Sequence, residues 1–157
     1  MAELTLGRPE APASLPEGPP GVRPVMLLTF DVPFDRAAVE FAVETAAETG
    51  AELYICDGVP VPTGNPAVVG ARTFGTSETR RESAEIAHEA IARGIRATQL
   101  VFHHPRPVHA ALEVTKDEKV GLLVFGSERR WLGRWNYWRI ARRLRKSAPC
   151  LVWIHDS

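Results

Sequence analysis

Five short apolar runs, set apart by segments whose apolar residues recur at helical spacing, constrain this chain more than any other feature. The runs are VMLLTF from Val25, AELYIC from Ala51, ATQLVFH from Ala97, VGLLVFG from Val120 and CLVWIH from Cys150. Continuous apolar runs of this length suit strands buried on both faces. Between the first two runs, Val39, Ala42, Val43 and Ala46 form one helical face that ends at Gly50, where a residue free to take positive φ is wanted. Thr79 and Glu82 have capping-box spacing, and the helix they open closes at Gly94. After Pro107, Val108, Ala111, Leu112 and Thr115 share a face; Tyr137, Ile140, Ala141 and Leu144 would be the inner face of a last helix. Strand and helix in strict alternation predict βαβ units, an α/β fold with a parallel sheet, and right-handed crossovers that put helices on both faces.

Residues 1–24 hold six of the 13 prolines and show no periodicity, which predicts a disordered or extended tail ahead of one folded domain over 25–157. With 157 residues, 45% hydrophobic and 24% charged, the composition is that of one soluble domain with a proper core. Apolar runs of about six residues fall far short of the roughly 20 of a membrane span. The opening MAELTLGRPE lacks the basic and apolar regions of a secretory signal, and a cytoplasmic location is expected. Cys56 and Cys150 lie in or beside strands, where a free thiol behaves as a small hydrophobe. The segment Asp57–Thr76, rich in Gly and Pro, reads as a long loop of the kind that serves as a lid or binding loop.

Net charge is zero, yet Glu128–Lys146 holds eight Arg/Lys against one Glu. On a helix through Trp135–Lys146, the residues Trp135, Arg139, Arg142, Arg143 and Lys146 fall on one face. One reading is a solvated basic face whose Trp covers a neighbouring loop. Others are a surface for an anionic partner, such as nucleic acid or lipid, or a protein contact. His103, His104 and His109 sit near a strand end, but no His-x-x-x-His, Cys or paired carboxylate completes a metal site, so no metal is expected. Asp35 is expected to cap the helix that starts at Arg36. Ser127 has no Gly-x-Ser-x-Gly elbow around it, and no catalytic residue is predicted.

The strand ending in Asp31 before an Ala-rich helix, the long loop after the second strand, Pro105-Arg106-Pro107, GLLVFGS at Gly121–Ser127 and APCLVWI at Ala148–Ile154 together resemble the universal stress protein family. The resemblance covers nearly all of Val25–Ile154. It implies a Rossmann-like sheet of the adenine nucleotide alpha hydrolase-like kind, five parallel strands in the order 3-2-1-4-5. Ligands of such sheets bind beyond the strand carboxyl ends where the winding reverses. Nucleotide-binding members hold ATP there, with an acidic residue near the adenosine and a Gly-x-x-Gly, nine residues, Gly-Ser/Thr loop around the phosphates. Carried onto this chain, that implies Asp31, Gly126 and Ser127 as ligand residues.

The chain departs from that loop. The second glycine falls on Arg129, the Gly-Ser pair falls on Trp138-Arg139 or Arg139-Ile140, and Gly133 stands at the wrong spacing. Glycines serve phosphates because amide groups can then approach closely; Arg129 and Trp138 remove that clearance, while Arg129, Arg130, Arg134 and Arg139 offer guanidinium groups instead. The leading expectation is a non-catalytic regulatory or binding homodimer with a degenerate nucleotide crevice, paired through Leu151–Ile154 at the sheet edge. One alternative keeps the crevice functional for ATP, with slow hydrolysis at most. The other is an adaptor that binds an anionic surface through the Trp/Arg helix.

Overall fold

The computed structural model describes residues 4–5, 21–61 and 77–155. In chain order its elements are β1 (Leu4–Thr5), β2 (Val25–Thr29), α1 (Arg36–Thr49), β3 (Leu53–Pro60), α2 (Ser77–Ala92), β4 (Ala97–His104), α3 (Pro107–Asp117), β5 (Leu122–Phe125), α4 (Arg129–Leu132), α5 (Arg134–Ser147) and β6 (Leu151–Ile154). They build one sheet in the order β1-β4-β3-β2-β5-β6. The five strands from β2 onward are parallel in the expected 3-2-1-4-5 order. The two residues of β1 add an antiparallel pairing, Leu4 with Phe102 and Thr5 with Val101, so this part of the tail is extended.

Side chains alternate across the pleat and divide the core into two layers. Met26, Leu28, Tyr54, Cys56, Leu100, Phe102, Leu123 and Phe125 face α3 and α5. Leu27, Leu53, Ile55, Val124 and their neighbours face α1 and α2. The predicted faces pack inward, with Val39, Ala42, Val43 and Ala46 buried in α1, Val108, Ala111 and Thr115 in α3, and Tyr137, Ala141 and Leu144 in α5, while Leu112 and Ile140 of the same faces are only half-buried. Gly50 ends α1 with φ +72°. Both cysteines are free, Cys56 buried and Cys150 half-buried, and burial pushes each thiol up from its usual pKa. No helix among the described residues is long and apolar enough to cross a membrane.

Four local expectations change. β3 runs on to Pro60 and is buried through Val59, so Asp57 lies inside a buried strand instead of opening the loop; residues 62–76 of that loop lie outside the described residues. Gly58 permits the extension, because a Cβ there would stand 2.9 Å from the Phe102 ring and 3.0 Å from Phe30. Thr79 is no cap, since α2 starts at Ser77; Glu82 instead accepts the Phe34 main-chain N–H at 2.7 Å. The helix before β6 is two helices, α4 and α5, joined at Gly133 with φ +88°. Asp35 does occupy the N-cap position of α1, but its side chain makes no cap hydrogen bond.

Candidate functional site

Winding reverses between β2 and β5, adjacent strands whose crossovers leave in opposite directions, and of the sequence-predicted ligand residues Asp31, Gly126 and Ser127 lie at their carboxyl ends. Asp31 follows β2 with φ +57°, a left-handed conformation uncommon outside glycine. Its main-chain N–H donates to Asp57 Oδ1 at 2.7 Å. Asp57, 2% exposed, was missed by sequence reading because Asp-Gly resembles a turn. Burial is the main cause that pushes its carboxyl up to about 7; the Asp31 N–H opposes this, the Asp31 carboxylate adds to it, and Arg80 opposes it again. Asp31 Oδ1 and Asp57 Oδ2 are both buried with no hydrogen-bond partner.

Gly126 leaves no room for a side chain. A Cβ there would stand 2.7 Å from Leu27 Cδ1, 3.3 Å from the Leu28 carbonyl oxygen and 3.3 Å from Phe34. Its N–H donates to Leu28 O at 2.7 Å, its carbonyl accepts the Asp35 N–H at 2.7 Å, and the Glu128 N–H donates to Pro33 O at 2.9 Å. These bonds flank an antiparallel bridge between Phe34 and Ser127. The segment Val32–Asp35 is thereby stitched across the mouth between β2 and β5. Ser127, 1% exposed, has its hydroxyl 3.0 Å from Thr29 Oγ1 and accepts the Phe30 N–H at 3.1 Å.

Arg129 turns inward. Its guanidinium lies 4.8 Å over the Tyr137 ring and 5.0 Å over Trp138, and Nη2 donates to the His155 carbonyl at 3.1 Å. Arg130 pairs with Glu128 at 2.7 Å. His155 Nδ1 meets Asp35 Oδ2 at 2.8 Å, a pairing across 120 residues that no local spacing signals. Around these groups lies a recess of about 190 Å³, lined by Asp35, Ser127, Glu128, Arg129, Arg130, Tyr137 and His155. Ligand pockets usually measure about 300–1,000 Å³. Gly133 sits at the α4–α5 junction with open space where a Cβ would be, and Arg139 is on the outer surface, bonded to Asn136 Oδ1 at 2.9 Å. Neither joins the recess. Of the three histidines, His104 Nδ1 accepts the Arg106 N–H at 2.8 Å and His109 meets Glu113 at 3.1 Å, with the two rings 6.2 Å apart.

An adenine nucleotide can be tested against these residues. Asp31 Oδ1, orphaned at a strand end, fits a ribose or base donor. The phosphate side does not fit: the Gly126 and Glu128 amides donate within the chain, Arg129 stands where a glycine would give clearance, and the recess is small.

The model of the universal stress protein family matches residues 22–155. The chain belongs to this family. Solved structures agree on the fold. Universal stress protein UspA from Lactobacillus plantarum is 16% identical, with TM-score 0.63 over 87% of this chain and 100% of that one. The universal stress protein from Archaeoglobus fulgidus in complex with dAMP is 20% identical, with TM-score 0.54 over 85% and 97%. A universal stress protein in complex with cAMP is 20% identical, with TM-score 0.57 over 85% and 97%. No curated protein matches the chain.

Proposed function

We propose that this universal stress protein is a non-catalytic regulatory or binding homodimer whose nucleotide crevice no longer accepts a nucleoside triphosphate. The observation that carries the reading is the Phe34–Ser127 bridge, with the Gly126 and Glu128 amides turned to Leu28 and Pro33. Structures of relatives contain dAMP and cAMP, so the family fold takes nucleotides. Here the amides that would meet a phosphate are engaged. Rescue by arginine is disfavoured because Arg129 is held by His155 and two rings, and Arg130 by Glu128.

The dimer reading rests on β6. It ends the sheet with Leu151 75% exposed, and an apolar edge strand is a pairing template unless covered. Isothermal titration with ATP and Mg²⁺, ADP and AMP tests the crevice, with Asp31→Ala as control. The expected result is no binding at 100 µM ligand. Micromolar ATP affinity that disappears in Asp31→Ala would overturn the reading.

A further inference from the structure

The outer face of α5 carries chemistry that the fold does not use. Trp135 is 89% exposed and Trp131 64% exposed, so Trp135 covers no loop, contrary to the blander sequence reading. Large indoles are highly buried on average. The helix buries Tyr137, Ala141 and Leu144; at 100° per residue, Trp135, Arg142 and Lys146 lie within about 40° of one another on the opposite side. Arg139 and Arg143 flank them on one side, Trp138 and Arg145 on the other. Arg134–Ser147 contains no acidic residue to neutralise its six cations. Beside them an open recess of about 450 Å³ is lined by Trp138, Arg142, Arg145 and Lys146.

We propose that this face binds single-stranded nucleic acid, with Trp135 as a base-stacking platform and Arg142, Arg145 and Lys146 as phosphate contacts. The net charge of Glu128–Lys146 calls for an anion. From Arg134 to Lys146 the cations span about 18 Å of helix, more than one phosphate can satisfy. A free indole beside a cationic recess matches an unstacked base and its backbone, the combination that single-strand binders use; a duplex keeps its bases stacked and offers the indole nothing. A lipid interface takes up a helix by its apolar face, and that face of α5 is buried against the sheet.

The test measures fluorescence anisotropy of labelled 20-nucleotide dT and rU strands, a 20-base-pair duplex, and 30% phosphatidylserine vesicles, all with the full-length protein. The expected result is single-strand binding in the micromolar range at 50 mM salt. With three to four phosphate contacts, log affinity should fall against log salt with a slope of about −2 to −3. Trp135→Ala should weaken binding at least fivefold with the slope unchanged. Arg142→Gln with Arg145→Gln should flatten the slope by about 1.4. Arg93→Gln, an exposed change just past the end of α2, the helix on the other face of the sheet, should change nothing. All these positions are exposed, and circular dichroism checks that each variant folds. No binding at 100 µM protein, equal affinity for duplex with Trp135→Ala neutral, or vesicle binding with inert strands would each overturn the proposal.

Discussion

Replacing Asp57 by Asn isolates the most unusual electrostatic feature of the fold. Asp57 is 2% exposed, and burial moves its carboxyl from 3.8 to about 7. Between those values the folded chain keeps a proton that the unfolded chain releases, so stability falls as pH rises from about 4 to 7 and is flat above. The full displacement corresponds to about 4 kcal/mol at most, at 1.36 kcal/mol per pKa unit. Asn is isosteric, carries no charge, and keeps an oxygen to accept the Asp31 N–H. Asp57→Asn should therefore exceed the wild type by about 1–2 kcal/mol at pH 5, where the folded chain keeps the proton and the unfolded chain has released it, and by about 2–4 kcal/mol at pH 8. In Tm that is an increase of about 5–10 °C at pH 8.

The assay is urea unfolding followed by tryptophan fluorescence at pH 5, 6, 7 and 8, with protein concentration fixed so that any association contributes equally. Parallel stability curves for the two proteins across that range would refute the reasoning. They would mean that Asp57 is ionised in the folded state and that Arg80 or solvent compensates its burial.

Ser127→Ala leaves the buried Phe30 N–H without its acceptor and should cost about 1–3 kcal/mol in chemical denaturation. Gly126→Ala should cost about as much, because its methyl group would meet Leu27 and the Leu28 carbonyl; a neutral result would show that the mouth between β2 and β5 is loosely packed. Leu151→Glu should shift the sedimentation coefficient from dimer to monomer at micromolar concentration while circular dichroism is unchanged. Arg129→Gly should lower stability by about 1–3 kcal/mol through loss of the His155 hydrogen bond and the two ring contacts, and titration calorimetry should still detect no ATP binding.

The sheet was legible because a strand buried on both faces writes a continuous apolar run, and VMLLTF and GLLVF are such runs; CLVWI is as apolar, but its strand is only partly buried at the sheet edge. Helix faces were equally plain, since burial follows a 3.6-residue period that the chain keeps in α1, α3 and α5. Strand order was not written in periodicity; it came with the family resemblance. What escaped were pairings between distant residues whose local spacing suggested another role. Thr79 and Glu82 have the spacing of a capping box, but Glu82 is drawn to the Phe34 N–H, 48 residues away. Asp35 is placed to cap α1, but its carboxylate reaches His155 across 120 residues. Asp57-Gly58 looks like a turn, and only the rings of Phe30 and Phe102 against Gly58 show why the strand continues.

On the proposed reading, those same pairings mean that one substitution would not reopen the crevice. Arg129 is one of the departures from the glycine loop, and removing it would restore clearance at a single position. The amides of Gly126 and Glu128 would still donate to Leu28 and Pro33, and Phe34 would still be held to Glu82. Recovering a phosphate cradle requires the Val32–Asp35 segment to leave, breaking at least the three main-chain hydrogen bonds it makes through Asp35, Pro33 and Phe34. At roughly 1 kcal/mol each net, with more for the Phe34 bond to a carboxylate, that is about 3–5 kcal/mol before any ligand contact forms. A ligand would need a several-hundred-fold or greater intrinsic advantage to offset it. The closed mouth of this proposal is thus a property of two loops pairing with each other, while Arg129 packs beside it on Tyr137, Trp138 and the His155 carbonyl.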